Sequence, residues 1–117
     1  IGASYNVHHG LSNEMLLPTV TGSQLLERQI VMLIGCAIGA ANYNDTSDVS
    51  INKLIDELVS LNRELQVPSL KEFGVDGNHF SKNLQTMAKQ AISSGSPSNN
   101  PRVPDIEDII KLYRKLW

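Results

Sequence analysis

Apolar residues recur along this chain at the three- and four-residue spacing of amphipathic helices, in five separate segments. No run alternates apolar and polar residues for more than a few positions, so no β-strand is predicted. The stretch SSGSPSNNPRVP has no periodicity and is rich in small, polar and Pro residues, which predicts a loop. The pattern therefore predicts an all-α fold, a bundle of about five helices: about Gly10–Val20, Ser23–Ala41, Val49–Leu65, Asn78–Ser93 and a fifth that opens at Pro104-Asp105.

We expect the first two predicted helices to differ in shape and in their position in the bundle. Pro18 lies inside the first, which we therefore expect to be short or kinked. The second is apolar nearly all round, so we expect it in the middle of the bundle. Its Gly35 and Gly39 form a GxxxG pair, which in so short an apolar run favours close helix packing over membrane dimerisation. The predicted buried face comprises Leu26, Ile30, Leu33, Ile34, Ala37, Ile38 and Ala41, widened by Val31, Met32 and Cys36.

The third predicted helix is the most clearly amphipathic. We expect Ser47 or Asp48 to cap its start and the Val67-Pro68 step to end it. Lys53 and Glu57 stand four residues apart and are expected to pair on the outer face. The predicted buried face comprises Ile51, Leu54, Ile55, Leu58, Leu61 and Leu65.

The last two predicted helices have the clearest start signals. Asp76 and Asp105 are expected to cap their N-termini, and Asp108 lies in the favourable first turn of the fifth helix. Gly95 follows the end of the fourth. The buried faces are predicted to comprise Phe80, Leu84, Met87, Ala88 and Ala91 in the fourth helix, and Ile106, Ile109, Ile110, Tyr113, Leu116 and Trp117 in the fifth.

Composition narrows the possible partners. The chain has 117 residues, enough for one domain, with 41% hydrophobic and 19% charged residues as in an ordinary globular protein. A net charge of -2 and the lack of a Lys/Arg cluster argue against nucleic acid and anionic membranes as partners. Cys36 is the single cysteine and cannot form an internal disulfide, which fits a reducing, cytoplasmic setting.

Two adjacent histidines, His8 and His9, precede Gly10 just before the first predicted helix. An imidazole can ligate a metal ion, although a solvated or helix-capping histidine is an equally open interpretation. A protein metal site uses three or four side-chain ligands, and the chain has no HxxxH, HExxH or CxxC motif. The remaining histidine, His79, is predicted to be exposed near the start of the fourth helix. Taken by itself, the chain lacks a complete metal site.

The other polar residues support no catalysis on their own. No Ser-His-Asp arrangement or Gly-rich phosphate loop is recognisable, so no catalytic residue is assigned. Arg102 could bind an anion, although a structural salt bridge is the commoner role of such a residue. The loop before the fifth helix is either a plain connector or an irregular wall of a site.

Three segments resemble motifs of the iron-containing (group III) alcohol dehydrogenases, in the same order. They are YNVHHGLSNEMLLPTV (Tyr5–Val20), LQVPSLKEFGV (Leu65–Val75) and NNPRVPDIEDIIKLYRKLW (Asn99–Trp117). The first is similar to the family segment in which a metal-binding histidine precedes Gly and a Leu-Leu-Pro-x-Val helix. The resemblance covers essentially the whole chain and implies the helical C-terminal domain of a dehydroquinate-synthase-like or iron-containing alcohol dehydrogenase.

The resemblance also implies a site. In this family an aspartate and three histidines hold a divalent metal, Fe(II) or sometimes Zn(II), between the helical domain and an N-terminal α/β domain that binds NAD(P). Only the last histidine has a match here, His9, whereas His8 stands where the family commonly has proline. The resemblance places the other ligands and the dinucleotide domain upstream of Ile1. Ser96, Pro97 and Asn100 match the loop that can reach the substrate side of the cleft in the family.

Two functional hypotheses follow. In the first, residues 1–117 are one helical domain of a dehydrogenase that transfers a hydride between an alcohol or aldehyde and NAD(P). Such a piece supplies one metal ligand, and we expect it to bind no metal or cofactor and to be inactive by itself. The alternative is a stand-alone helical protein-interaction module without catalysis. A coding sequence for a dinucleotide domain upstream of Ile1 would favour the first.

The first hypothesis has a structural corollary. Apolar surface that meets the rest of the protein should be exposed on the first two helices, and we expect such surface to promote a dimer or another homo-oligomer. The determinants of the alcohol or aldehyde, of NAD or NADP and of Fe or Zn are expected mostly in the upstream part.

Overall fold

A computed structural model describes residues 1–23 and 27–117 of the chain. These residues form helices without a strand, which confirms the all-α prediction. All five predicted helices are present in them, and a four-residue helix, α1, precedes the first. The helices are α1 Gly2–Tyr5, α2 His9–Thr21, α3 Arg28–Ala37, α4 Ser47–Glu64, α5 Gly77–Ser93 and α6 Ile106–Arg114, with a 3₁₀-helix at Ser96–Asn99 in the predicted loop.

Two apolar clusters hold the helices together. The first lies between α5 and α6 and includes the connection before α5; its buried members are Leu70, Val75, Phe80, Leu84, Met87, Ala88, Ile109 and Ile110. The second lies between α3 and α4 and contains Val31, Ile51 and Leu54. Helix α2 packs on α4, and its Met15 contacts the first cluster. Helix α2 therefore joins the two halves of the core.

The predicted caps of α5 and α6 are confirmed. The Asp76 carboxylate accepts a hydrogen bond from the backbone N–H of His79 at 2.8 Å. The Asp105 carboxylate accepts from the N–H of Asp108 at 2.8 Å, and the Asp108 carboxylate accepts from the N–H of Asp105 at 3.3 Å. This reciprocal capping box satisfies donors that the first turn of a helix otherwise leaves unpaired.

Helix α4 begins two residues before the predicted Val49 and ends within one residue of the predicted Leu65. Thr46 caps its N-terminus, in place of the expected Ser47 or Asp48, because its hydroxyl accepts from the N–H of Val49. The helix ends at Glu64, and Gln66 then adopts a left-handed φ of 55° just before the Val67-Pro68 step that was expected to end the helix. The predicted burial of Leu61 and Leu65 is wrong, since both are exposed near this end.

Lys53 does not make the pair expected of it. Its ammonium lies 2.8 Å from the carboxylate of Asp45, in the connection between α3 and α4. The same carboxylate oxygen accepts from the N–H of Asn42 at 2.9 Å. The Lys53 side chain and this backbone donor lower the pKa of Asp45 below its usual value. The interaction ties the connection to α4, which the predicted pairing of Lys53 with Glu57 would not do.

Helix α3 buries only part of the predicted face, since Val31, Cys36 and, beyond its end, Ala41 are buried as predicted. Val31, Gly35 and Cys36 are buried, whereas the exposed residues are Ile30, Leu33, Ile34, Ala37 and Ile38; Leu26 lies outside the described residues. The expected central position of this helix is therefore wrong, since α3 packs on α4 along one side only. Exposed apolar surface on the first two predicted helices is confirmed, here and at Leu17 of α2.

Gly35 explains which face of α3 is buried. A Cβ at this position would lie 3.3 Å from the carbonyl oxygen of Ser50 and 3.4 Å from the Cβ of Leu54. Glycine at position 35 therefore lets α3 approach α4 closely. The close helix packing predicted from the GxxxG pattern is thus found at Gly35. Gly39 has another role, because its φ of 81° ends α3 in a left-handed conformation. No helix in the described part of the chain is long and apolar enough to cross a membrane.

Helix α2 continues through Pro18 for 13 residues, so the expected shortening does not occur. Proline has no N–H, and the carbonyl of Glu14, four residues earlier, therefore lacks its helical donor. The side chain of Asn62 in α4 takes that place, because its Nδ2 donates to the Glu14 carbonyl at 2.9 Å. A side chain from a neighbouring helix thus substitutes for the missing backbone hydrogen bond.

We expect Asn62→Ala to lower the free energy of unfolding by about 1 kcal/mol, because it leaves the Glu14 carbonyl without a protein donor. In a Pro18→Ala background the N–H of residue 18 can pair with that carbonyl, so the same substitution should cost less. Urea unfolding of the wild type, both single variants and the double variant measures this coupling. Equal costs in the two backgrounds would show that Asn62 does not replace the helical bond.

Candidate functional site

The segment before α2 projects two histidines from the surface. Val7 is buried, and the hydroxyl of Ser12, also buried, donates to the Val7 carbonyl at 3.5 Å. Asn6 turns the chain with a φ of 54°, so that α1 ends and α2 begins within a few residues. His8 and His9 follow Val7 and are both exposed. The fold thus anchors the backbone on either side of the two imidazoles and leaves the rings accessible.

His9 is the first residue of α2, and its ring is held from within the same helix. Its Nε2 lies 3.3 Å from the side-chain nitrogen of Asn13, one helical turn later. Which group donates depends on the tautomer of the ring and on the orientation of the amide. Either arrangement restricts the rotation of the ring, as neighbours of metal-binding histidines commonly do.

His8 differs from His9 in position and in backbone. It is the N-cap residue, but its side chain makes no capping hydrogen bond. Its φ of −55° and ψ of 144° are the angles that a proline would adopt. The structure therefore separates the two neighbours, with only His9 placed on the helix and in contact with Asn13.

His79 is exposed, as the sequence predicted. Its ring meets the Tyr5 ring edge to face, with centroids 5.6 Å apart, and lies within 3.2 Å of the Asn83 amide nitrogen. Within residues 1–23 and 27–117, no three His, Cys, Asp or Glu side chains are grouped so that they could hold a metal ion. His9 offers the donor type that suits iron or zinc, but it offers only one ligand.

The three residues matched to the substrate loop lie in and next to the 3₁₀-helix. Ser96 is exposed, whereas Pro97 and Asn100 are partly buried. Asn100 donates from its side chain to the Pro97 carbonyl at 2.9 Å, which closes the turn on itself. Pro97 and Asn100 line a small cavity of about 170 Å³, whose other walls are Leu16, Val20, Pro104, Ile109, Leu112 and Tyr113. The loop is therefore one wall of a cavity rather than a plain connector.

The cavity and His9 share α2 but are not adjacent along it. Leu16 is the cavity residue nearest to His9 in the sequence. It lies two helical turns after His9, about 10 Å along the helix axis at the usual rise per residue. Tyr113 was predicted only as part of a core face, and burial raises its pKa. Its helical spacing in the sequence could not distinguish a core residue from a cavity wall.

A salt bridge joins this loop to the start of α6. A guanidinium nitrogen of Arg102 lies 3.2 Å from a carboxylate oxygen of Asp108, the oxygen that also serves the capping box. The predicted structural role of Arg102 is confirmed. The salt bridge therefore holds the chain that follows Asn100 against α6, the helix that carries Tyr113.

Comparisons with known proteins match the chain from end to end. Residues 1–117 match the family model described as "Fe-containing alcohol dehydrogenase family, C-terminal". Lactaldehyde reductase of Escherichia coli (strain K12) is 28% identical over 125 residues, which cover all of this chain and 30% of that protein. The NADPH-dependent butanol dehydrogenase of Clostridium saccharobutylicum is 27% identical over 122 residues, covering 99% of this chain and 30% of that protein.

A solved structure shows the same fold. The crystal structure of 1,3-propanediol oxidoreductase superposes with a TM-score of 0.86 at 23% identity, over 99% of this chain and 30% of that one. The chain therefore spans about 30% of the length of the relatives that it matches.

We expect Asp108→Ala to lower the free energy of unfolding by about 1 kcal/mol, because it removes both the Arg102 salt bridge and one half of the capping box. Glu107→Ala is the matched control, since Glu107 is also an acidic residue of the first turn but takes no part in the box. Urea unfolding measures both. An equal loss in the two variants would assign the effect to the helix dipole alone.

Proposed function

Because the chain belongs to the Fe-containing alcohol dehydrogenase family, we propose that residues 1–117 are the helical C-terminal domain of a metal-dependent dehydrogenase. The reaction proposed is hydride transfer between a small alcohol or aldehyde and NAD(P). The names of the matched relatives support this, since one is a lactaldehyde reductase and another an NADPH-dependent butanol dehydrogenase. The match of the family model over the whole chain carries the proposal.

His9 is the proposed metal ligand of this domain. Its support is the accessible imidazole on the first turn of α2, in contact with Asn13. A bound Fe(II) or Zn(II) ion would supply a Lewis acid for the alcohol or carbonyl oxygen of the substrate. His9 contributes a neutral ring nitrogen, Asn13 orients the ring, and the buried Val7 and Ser12 hold the backbone that presents it.

One imidazole cannot hold a divalent ion, because such sites use three or four protein ligands. The remaining ligands and the NAD(P)-binding domain are therefore assigned to the preceding part of the full-length protein, as in the family pattern. By itself this domain is proposed to bind neither metal nor cofactor and to be inactive. The proposed location is the cytoplasm, in keeping with a single cysteine, Cys36, which is buried and free.

Ser96, Pro97 and Asn100 are proposed to form part of the wall of the substrate cleft. Pro97 and Asn100 line the small cavity together with residues of α2 and α6, and the neighbouring Ser96 is exposed. Because the cavity lies about 10 Å along α2 from His9, the loop acts in shaping the cleft rather than at the reacting atoms.

We expect His9→Ala, in the full-length protein, to lower the metal content and the NAD(P)-dependent oxidation of 1-propanol together, each by more than about tenfold, because a ligand is lost. His8→Ala is the matched control, since it removes the neighbouring exposed imidazole without touching the proposed ligand. Metal is measured by mass spectrometry of the purified protein and activity by NAD(P)H absorbance.

Unchanged metal content in His9→Ala would refute the assignment of the ligand. Equal losses in His8→Ala and His9→Ala would mean that the segment is needed only for folding. A start codon near Ile1, with no dinucleotide domain encoded upstream, would favour the stand-alone interaction module instead.

A further inference from the structure

The small cavity between α2, α6 and the loop, called the α2–α6 cavity here, is large enough for part of a small molecule. Its volume is about 170 Å³, and its helical walls include Leu16, Val20 and Leu112. An engineered cavity of about 150 Å³ with similar apolar walls binds benzene, a six-carbon ring. The α2–α6 cavity therefore has room for about six carbon atoms.

The lining of the α2–α6 cavity favours an apolar occupant. None of the lining residues carries a charge at neutral pH, because burial raises the pKa of Tyr113 and keeps its hydroxyl neutral. The side-chain nitrogen of Asn100 is already engaged, since it donates to the Pro97 carbonyl at 2.9 Å. A charge buried here would have no ionic partner among the lining residues, which is costly. The cavity therefore suits methyl and methylene groups rather than a carboxylate or a phosphate.

The α2–α6 cavity lies on the same face of α2 as His9. Leu16 and Val20 follow His9 by about two and about three whole helical turns, so the three side chains leave the helix on one side. The larger grooves beside α2, of about 380 and 280 Å³, have Pro18 as a common wall, and Pro18 lies on the other side of the helix. Among these spaces, the α2–α6 cavity is the one aligned with the proposed ligand.

We propose that the α2–α6 cavity binds the far end of the carbon chain of the substrate, and that unbranched medium-chain primary alcohols and aldehydes are preferred. This inference rests on the proposed function, because it takes the reacting carbon to lie beside His9. The loop residues Pro97 and Asn100 are walls of the cavity and are also proposed as part of the cleft wall. A chain that follows this loop therefore leads from the cleft into the cavity.

The axial distance from His9 to Leu16 sets the required chain length. This distance is about 10 Å at the usual helical rise. Three bonds of an extended chain span about 3.5 Å, so about eight or nine bonds cover the distance. 1-Octanol is therefore long enough to place its last carbon atoms at the cavity, whereas 1-propanol is not.

The test is the chain-length dependence of alcohol oxidation by the full-length protein. We expect kcat/KM to be at least tenfold higher for 1-octanol than for 1-propanol, because each methylene group buried in an apolar site contributes about fourfold. Val20→Phe fills the cavity and should lower this ratio more than tenfold. Its metal content should stay within about twofold of the wild type, since His9 is untouched. Val49→Phe is the matched control, because Val49 is exposed on α4, and it should keep the wild-type ratio.

A second variant and a binding measurement cover the case in which the larger side chain impairs folding. Val20→Ala enlarges the cavity, so the chain length with the highest kcat/KM should increase by about one or two carbon atoms. Binding of 1-octanol to the full-length protein without NAD(P) is measured by isothermal titration calorimetry. Val20→Phe should weaken this binding more than tenfold, and Val49→Phe should leave it unchanged.

The outcomes separate this proposal from the proposed function. A wild type that oxidises 1-propanol but handles 1-octanol no better would overturn the subsite and leave the proposed function intact. The same conclusion would follow if neither Val20 variant changed the ratio, or if Val20→Phe left the calorimetric binding of 1-octanol unchanged. A metal-loaded full-length protein that oxidises no alcohol would overturn the proposed function, and the substrate assignment of the cavity with it.

Discussion

The hydrogen bond from Asn62 to the Glu14 carbonyl allows a helix to pass through Pro18 without an unpaired backbone acceptor. The bond supports α2, which packs on α4 and reaches the first cluster through Met15. The same helix begins with His9 and lines the cavity behind Pro97. The Asn62 side chain on α4 thereby supports α2, the helix that connects the two halves of the core, carries the proposed ligand and contacts the loop.

The two ends of the α2–α4 pair have different properties. At one end His9 is exposed and contacts Asn13 within the same helix. At the other end α3 packs on α4 and leaves the apolar residues Ile30, Leu33 and Ile34 exposed. A polar surface and an apolar surface therefore lie at opposite ends of this helix pair.

Local signals in the sequence were enough to predict α5 and α6, because their caps and apolar faces depend on residues within a turn or two. The exception is Trp117, which was predicted on the buried face of α6 but lies beyond the helix end at Arg114 and is exposed. The buried face of α3 was mispredicted because a helix that is apolar all round gives no phase information, and the decisive residue, Gly35, has no side chain. The role of Asn62 is a long-range contact without a local signal. His9 could be singled out as a candidate ligand only by resemblance, because the sequence offers no set of ligands around it.

The backbone of His8 has an implication for how this site is maintained. Its φ and ψ are angles that a proline ring would favour, yet here a residue without that restriction adopts them. Without the ring, the unfolded chain samples more conformations at this position, and folding must order them at an entropic cost. The packing of Val7 and Ser12 therefore has to hold the backbone angles that a proline ring would restrict covalently.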